Sequence, residues 1–538
     1  AYGKAAREQL DFWLHLGDFI YEDGLSEPAD PRHAARDGID PPHETITLED
    51  YRRRYALYRT DEDLQALSAS APSISMWDDH EVANDAWMGG SLNHQADEGN
   101  FSARRTAAIR AYHEWLPTMV GAVPSNASET AATVASFNEG LRIRWREFHF
   151  GDLAMLLMLE TRLHARTTQQ GLTDEMVRQR LAKTISEFGS PPPDRWNGTE
   201  LEKRLLALKR EAEAEATRPE KRILGEEQLQ WVRGKFREAY ASGVRWRLIG
   251  QQLKQPAAPP DYEAAVRLAA ASDSSRTRSA AAMWQAVLHN STTVGASYVF
   301  DSPMPYAKAM RGMRLNITEA QRLSTLSLLA AGRYKIPSRL DGWDGYVAER
   351  GRLLNAVGGE GAGDAPKTIV YGGDSHNAWV GRLRDTHGRI VAHEFDTMSV
   401  SAPGFEFYTD WLPTDLDAAA WTAPNPDLDW ADIGHRGFTL VELSQASHRV
   451  AYIGVDSGEP GSRAAVRCLA MFASPFGQEE LRRCSCSRIG EVSQAIAAVG
   501  LGELRGSTSR EEAVGAGAAR SVSWWLIAAG CVLGCLLG

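Results

Sequence analysis

The chain has 538 residues, enough to bury a large core, and its 43% hydrophobic and 24% charged residues are ordinary for a globular protein. Its formal net charge is −11 and no strongly basic stretch is evident, which argues against nucleic acid as a binding partner. An anionic substrate would therefore need a local cationic centre, supplied by metal ions or by a few arginines.

Five short apolar segments predict buried strands, because continuous apolar runs of this length fit strands that are covered on both faces. In chain order they are 12–16, 73–77, 153–159, 247–250 and 368–371. Patterns with apolar residues at helical spacing lie between them, at 100–115, 226–240, 318–331 and 345–357. Strands that alternate with helices predict the α/β class, as a layered domain with functional residues in the loops past the strand ends.

Composition divides the chain into three parts. Residues 1–457 carry the alternating pattern and are predicted to form one domain, which includes a charged, solvated helix over 200–222. Residues 458–520 turn to Gly, Ser, Ala and Arg with little periodicity, which predicts a linker or a weakly ordered extension. Residues 521–538 are apolar after the first position and predict a terminal hydrophobic helix.

This apolar tail has three interpretations: a membrane anchor, a removed lipid-anchor signal, or a hydrophobic helix that meets no membrane. Its 17 uncharged residues from Val522 are at the lower limit for crossing a bilayer, and its two tryptophans suit a membrane interface. All five cysteines lie at or after Cys468, so the preceding residues hold no thiolate metal site. The tail predicts a secreted or membrane-attached protein, and the chain, which begins with Ala1, is interpreted as a fragment or a processed form.

Acidic and imidazole side chains directly follow three of the predicted strands. The segments are 17–22 (GDFIYE), 77–81 (WDDHE) and 373–376 (GDSH). Carboxylates gathered at one sheet edge repel one another, and bound cations remove that cost. Hard cations such as Ca²⁺ and Fe³⁺ prefer oxygen ligands. One such motif alone is commonly an Asp that forms a turn, but three at matching strand ends predict a metal centre.

The order and spacing of the motifs resemble the PhoD-like alkaline phosphatase family, within the metallophosphoesterase superfamily. The matching patterns are Gly-Asp-x-x-Tyr-Glu at 17–22, Trp-Asp-Asp-His-Glu-Val-x-Asn-Asp at 77–85, Gly-x-x-Gln-x-x-Trp at 225–231, Trp-Asp-Gly-Tyr at 343–346 and Gly-Asp-x-His-x-x-Trp at 373–379. The likeness covers most of residues 8–455. It implies a metallophosphoesterase-like αββα sandwich and metal-dependent hydrolysis of phosphate esters.

The resemblance also implies roles for particular residues. The metal ligands would be Asp18, Tyr21, Asp79, Asn100, Asp374 and His376, with Fe³⁺ and Ca²⁺ as the cofactors. His80 would be the acid that protonates the leaving alkoxide, and Arg162 would hold the phosphate oxygens through its fork of donors. Three of these residues have ordinary alternatives: Tyr21 as a half-buried aromatic residue, Asn100 as a helix N-cap, and Arg162 as a salt-bridge partner on a loop. Asp78 and Glu81 are expected to orient the loop between them.

The chain departs from the family pattern upstream of Gly17. The family carries an iron-binding cysteine on an earlier strand, together with an N-terminal sandwich domain, and neither is present in this sequence. Two hypotheses follow from that departure. The protein is either a metal-dependent phosphate-ester hydrolase that uses a metal-activated water, or an inactive copy of the fold that acts as a binding protein. Whether a hydrolase would prefer monoesters or diesters stays open.

Overall fold

The computed structural model describes residues 1–24, 38–118, 145–167, 172–252, 259–271, 319–359, 368–407, 414–455, 465–486 and 523–528. The helices in these segments are α1 (Tyr2–Ala5), α2 (Leu48–Arg59), α3 (Glu62–Ser70), α4 (Phe101–Trp115), α5 (Asp174–Glu187), α6 (Glu200–Ala216), α7 (Gly225–Ser242), α8 (Tyr262–Ala270), α9 (Glu319–Tyr334), α10 (Val347–Val357) and α11 (Thr414–Thr422). Short 3₁₀ turns are formed by Ala96–Glu98, Pro193–Arg195, Trp343–Gly345 and Phe405–Phe407. The strands are β1 (Phe12–His15), β2 (Ser73–Ser75), β3 (Arg146–Phe150), β4 (Ala154–Met158), β5 (Trp246–Gly250), β6 (Thr368–Gly372), β7 (Ala378–Arg384), β8 (Ile390–Asp396), β9 (Leu428–Asp432), β10 (Arg436–Leu443), β11 (Ser447–Val455), β12 (Val466–Pro475), β13 (Arg482–Cys484) and β14 (Ser523–Ala528).

These strands form two seven-stranded sheets. Sheet one has the order β13-β12-β11-β10-β14-β1-β2, and sheet two has the order β3-β4-β5-β6-β8-β7-β9. In sheet one β1 is parallel to β2, and in sheet two β4, β5, β6 and β8 are parallel to one another. Parallel strands release their following loops at the same edge of a sheet. The loops that follow β1 and β2 therefore leave sheet one together, as do those that follow β4, β5 and β6 in sheet two.

The two sheets share one core. Leu156, Leu248 and Tyr371 of sheet two belong to the same buried cluster as Leu440 and Tyr452 of sheet one. The alternate residues of sheet two face the other way and pack against α7 and α10, in a cluster that includes Met155, Ile249, Val370, Leu229 and Leu353. This alternation is the period of two that a strand imposes on its side chains. The predicted mixed α/β class, with helices around more than one sheet, is confirmed.

A separate helical cluster joins α5, α6, α8 and α9. The charged run that was predicted as a solvated helix forms α6, but it is solvated on one face only, because Leu201, Leu205 and Leu208 are buried. Apolar residues at a spacing of three and four place this stripe against the neighbouring helices. The predicted helix over 318–331 corresponds to α9.

The prediction of a terminal hydrophobic helix is wrong for the part of the tail that the structure describes. Ser523–Ala528 forms β14, which pairs in parallel with β1 and antiparallel with β10. Aromatic and β-branched residues such as Trp524, Trp525 and Ile527 favour strands, and both backbone edges of β14 find partners in this position. Among the described residues, no helix combines the length and the apolar character that a bilayer crossing requires.

The predicted linker over 458–520 is described only from 465 to 486, and there the chain is ordered into strands. β12 pairs antiparallel with β11, and β13 pairs with β12. A disulfide joins Cys468 of β12 to Cys486. The apolar run from Leu469 to Phe472 supplies buried residues to β12. The Gly- and Ser-rich composition around this run was the reason that the sequence predicted a linker.

The placement of β14 leads to a test by backbone substitution. Leu526→Pro is expected to lower the free energy of unfolding by roughly 3 kcal/mol, because proline removes an N–H donor from a strand that is paired on both sides. Urea unfolding measures the change. Leu526→Thr, which keeps the N–H, is the matched control, and an equal loss of stability in both variants would contradict the pairing.

Acid stability is expected to depend on His448, which lies buried among Tyr371, Trp246 and Phe395. Burial, and then the neighbouring His393, lowers the pKa of His448 to about 3. A folded-state pKa below the unfolded value near 6.5 means that the unfolded chain binds the proton first, so stability falls as pH drops below about 6.5. At pH 5 this contribution is about 2 kcal/mol. Urea unfolding of the wild type and His448→Gln at pH 7.5 and pH 5 should show a smaller acid loss in the variant.

Candidate metal centre

The loops that follow β1 and β2 meet at their first residues. Gly17 adopts a φ of 107° and Asp18 a φ of 54°, and both values lie in the left-handed region that an ordinary side chain rarely adopts. A Cβ on Gly17 would overlap Asp78 Cβ and lie 3.0 Å from Asp78 N. Glycine at this position therefore allows the two loops to approach each other. Asp374 and His376, after β6, share the left-handed conformation with φ of 58° each.

Tyr21 joins the loop after β1 to the loop after β6. Its hydroxyl lies 3.0 Å from Asp18 Oδ2 and 3.0 Å from His376 Nε2, and those two atoms are 3.3 Å apart. His376 Nδ1 donates a hydrogen bond to Pro403 O at 2.6 Å, which fixes the ring and directs Nε2 toward Asp18 and Tyr21. A single phenolic proton is thus placed between two groups that can each accept it. Such a set of oxygen and nitrogen donors suits a cation.

Asp79 belongs to two groups of residues with metal-ligating spacing. Ligand atoms of Asp18, Asp79 and His80 lie within 4.8 Å of one another, and so do those of Asp78, Asp79 and Asp374. Asp79 is the residue that the two groups have in common. A third group with this spacing consists of Glu22, Asp23 and His80.

Glu81 holds the first two loops together. Its buried carboxylate accepts hydrogen bonds from the backbone N–H groups of Asp18, Phe19 and Asp78. Burial, and then the charge of Asp18, raises the pKa of Glu81 to about 8 despite these hydrogen bonds. These contacts agree with the orienting role that was predicted for Glu81.

Arg162 is fully buried and contacts four carboxylates. Nε donates to Asp78, Nη1 donates to Asp341 at 2.7 Å, and Nη2 lies 2.8 Å from Asp374 Oδ1 and 3.3 Å from Asp79 Oδ1. The guanidinium fork therefore neutralises part of the charge of the cluster. Glu160 shapes the loop that carries Arg162. Its carboxylate accepts hydrogen bonds from the backbone N–H groups of Arg162, Leu163 and His164 and from the indole N–H of Trp77.

His80 forms an ion pair with Glu22, which is buried. His80 Nδ1 lies 2.7 Å from Glu22 Oε2. Burial lowers the pKa of His80, but the charges of Glu22, Asp79 and Asp18 outweigh it and raise the pKa well above the usual range. Since Nδ1 is engaged, the other ring nitrogen is the atom that can donate a proton elsewhere. His80 is thus suited to act as an acid.

The buried carboxylates of the site can accept additional positive charge. Asp18 Oδ1 and Asp78 Oδ2 are buried and have no hydrogen-bond partner among the described residues. Burial, with the neighbouring charges of Asp79, Asp341 and Asp18, raises the pKa of Asp374 to about 6 even though Arg162 opposes the shift. Burial also raises the pKa of Asp78 well above its usual range. Buried carboxylate oxygens without donors are the chemistry that a hard cation satisfies.

Asn100 is placed differently from the other predicted ligands. It is exposed, and its side-chain oxygen accepts from Ala103 N at 3.2 Å as the N-cap of α4. Within the described residues, no hydrogen bond joins it to the carboxylate cluster. The structure therefore shows the alternative that the sequence left open for this residue, a helix cap. The predicted residues that it does bring together are Asp18, Tyr21, Asp79, His80, Arg162, Asp374 and His376.

Three further residues shape the site without a role assigned from the sequence. Asp341 bridges Arg162 and Arg166, and Glu22 pairs with His80 as described above. Asp85 has a left-handed φ of 53°, and its backbone N–H donates to Asp79 Oδ2 at 2.6 Å. Glu22 and Asp85 lie inside the sequence motifs at 17–22 and 77–85, so the sequence could have indicated them as site residues. Asp341 lies two residues before the Trp343 motif and is brought in only by the tertiary fold.

Comparison with known proteins agrees with this arrangement. The family pattern described as PhoD-like phosphatase matches residues 1–452. Alkaline phosphatase D of Bacillus subtilis (strain 168) is 25% identical over 504 residues, which are 92% of this chain and 63% of that protein. The chain thus spans less than two thirds of the length of this relative.

A solved structure titled "Structure of PhoD" shares the fold with a TM-score of 0.53 and 23% sequence identity, covering 90% of this chain and 68% of the other. The matched segment of the family pattern contains all the strand-end loops of the carboxylate cluster. The chain belongs to the PhoD-like phosphatase family.

Proposed function

We propose that the protein hydrolyses phosphate esters with metal ions held by Asp18, Tyr21, Asp78, Asp79, Asp374 and His376. The observation that carries this proposal is the convergence of three strand-end loops, which forms two groups that share Asp79, each with its ligand atoms within 4.8 Å of one another. Family membership supports the same chemistry. Bound metal ions would polarise the phosphoryl oxygen and activate a water molecule as the nucleophile.

The side chains of this protein would carry the remaining steps. The His80 ring nitrogen that does not face Glu22 would donate its proton to the departing alkoxide oxygen, while Glu22 keeps the ring oriented. Arg162 would place its guanidinium beside the equatorial phosphoryl oxygens and offset their charge. The ion pair between Arg162 Nη1 and Asp341 would fix the direction of the guanidinium.

Ferric iron and calcium are the cofactors that we propose. Tyr21 supports the iron, because burial and the charge of Asp18 raise the pKa of Tyr21 well above its usual range. A strongly charged cation such as Fe³⁺ would ionise that phenol at neutral pH. The three carboxylates of Asp78, Asp79 and Asp374 suit an ion that prefers oxygen ligands, such as Ca²⁺. Asn100 could add an amide oxygen only after releasing its cap of α4.

Metal analysis and hydrolysis assays of the purified chain test the proposal. The expected result is bound metal, hydrolysis of p-nitrophenyl phosphate, and loss of that activity on chelation with recovery when Fe³⁺ and Ca²⁺ are restored. Comparison with bis(p-nitrophenyl) phosphate determines whether monoesters or diesters are preferred. A folded protein that binds no metal and hydrolyses neither ester would contradict the proposal and favour an inactive binding protein.

We also propose that the protein works in an oxidising compartment, as a secreted or surface-attached protein. The disulfide between Cys468 and Cys486 supports this location, because such bonds persist mainly outside the cytosol. Mass spectrometry of protein isolated with its thiols blocked should find Cys468 and Cys486 joined. Recovery of both residues as free, alkylated thiols would count against the location.

A further inference from the structure

Three of the carboxylates that could hold a cation are occupied by a cation of the protein itself. Asp78, Asp79 and Asp374 form a group with metal-ligating spacing, and Arg162 contacts all three. Nη2 lies 2.8 Å from Asp374 Oδ1 and 3.3 Å from Asp79 Oδ1, which are hydrogen-bonding distances to one oxygen of each carboxylate.

A metal ion bound through Asp374 Oδ1 and Asp79 Oδ1 would compete with the guanidinium for these contacts. Oxygen ligands lie about 2.0–2.6 Å from hard divalent cations. A cation bound by Asp374 and Asp79 would therefore lie within contact distance of Nη2, where two like charges repel strongly in a buried site. Asp78 Oδ2 is buried with no hydrogen-bond partner among the described residues, so the group retains an acceptor that Arg162 does not satisfy.

Arg162 has a second anchor on the opposite side of its guanidinium. Nη1 donates to Asp341 at 2.7 Å, and Asp341 is held in turn by Arg166. Loss of the contacts to Asp78, Asp79 and Asp374 would leave Arg162 tied to Asp341 rather than unpaired. Displacement would also free Nη2 to face an anionic ligand.

From this geometry we propose that Arg162 is an internal competitor for the second cation of the site. Metal entry at Asp78, Asp79 and Asp374 displaces the guanidinium, which remains on Asp341 and turns Nη2 toward the phosphate group of the substrate. Metal binding and formation of the phosphate-binding site then occur together. This inference rests on the proposed function, since it assigns the second metal position of the same site.

Titration of the metal-free full chain with Mn²⁺, followed by calorimetry and electron paramagnetic resonance, tests the competition without an activity assay. In Arg162→Gln the weaker of two Mn²⁺ binding events is expected to tighten by about tenfold or more, because the competing charge is gone. Arg104→Gln is the matched control. It removes another buried arginine, which pairs with Glu44 and Glu98 rather than with the three carboxylates or Asp341, so its weaker site should change by less than about threefold.

A conservative variant keeps the test decisive if Arg162→Gln does not fold. Arg162→Lys retains the charge but reaches fewer of the carboxylates, so its second Mn²⁺ affinity should lie between those of the wild type and Arg162→Gln. Two Mn²⁺ ions bound with unchanged or weaker affinity in both Arg162 variants would overturn the competition while leaving the proposed function in place. A wild-type protein that binds no Mn²⁺, Ca²⁺ or Fe³⁺ would overturn both.

Discussion

Replacing Asp79 by Asn is expected to remove metal from the purified protein and to lower the hydrolysis rate by about 10³-fold or more. Asp79 is the residue shared by the two overlapping ligand groups, one with Asp18 and His80 and the other with Asp78 and Asp374. An amide in its place keeps the size of the side chain but loses the charge, so both groups are weakened by one substitution. The backbone N–H of Asp85 would still find an oxygen acceptor at this position.

Elemental analysis of the Asp79→Asn protein, together with its turnover of an aryl phosphate, measures this effect. Asp427→Asn is the control, because Asp427 is a carboxylate paired with exposed Arg384 at the edge of sheet two. That variant should keep both its metal and its activity, since exposed ion pairs contribute little. Full metal content with low turnover in Asp79→Asn would show that Asp79 acts on the substrate rather than on the metal.

Much of the fold and the site could be predicted because the signals are local. The strand runs before Asp18, Asp78 and Asp374 are apolar enough to be buried on both faces, and acidic residues follow each of them directly. Since β1 and β2 are parallel, their following loops leave from one edge. The sequence predicted the third acidic motif at the same sheet edge, whereas it follows β6 of sheet two, so its approach depends on how the two sheets pack together.

Where the sequence predicted the wrong element or left alternatives open, local sequence alone could not decide between them. An apolar segment such as 523–528 fits a helix or a strand, and the choice is made by the unpaired edges of β1 and β10, which no local pattern describes. Asn100 carried two meanings in one short sequence, a ligand and a helix cap, and local sequence cannot separate them. Arg162 likewise had two interpretations, a phosphate-binding residue and a salt bridge on a loop, and its four carboxylate partners come from three other loops.

Gly17→Ala is expected to destabilise the protein by roughly 4 kcal/mol, through steric overlap added to backbone strain. The left-handed φ of 107° at Gly17 disfavours any side chain, and the new Cβ would overlap Asp78 Cβ and press on its backbone. The loops after β1 and β2 would have to separate, and this would strain the Glu81 carboxylate that bridges them. Metal affinity should fall together with stability, because the same contact sets the distance between Asp18 and Asp78.

Gly388→Ala separates the two causes of that loss. Gly388 has a similar left-handed φ of 81°, but a Cβ there would meet no atom within 4 Å, so this variant reports backbone strain alone, expected at about 1 kcal/mol. Urea unfolding and Mn²⁺ titration of both variants give the comparison. The excess loss in Gly17→Ala measures the closeness of the two loops. Equal losses of stability, with metal affinity intact in both, would mean that the contact between Gly17 and Asp78 does not hold the site together.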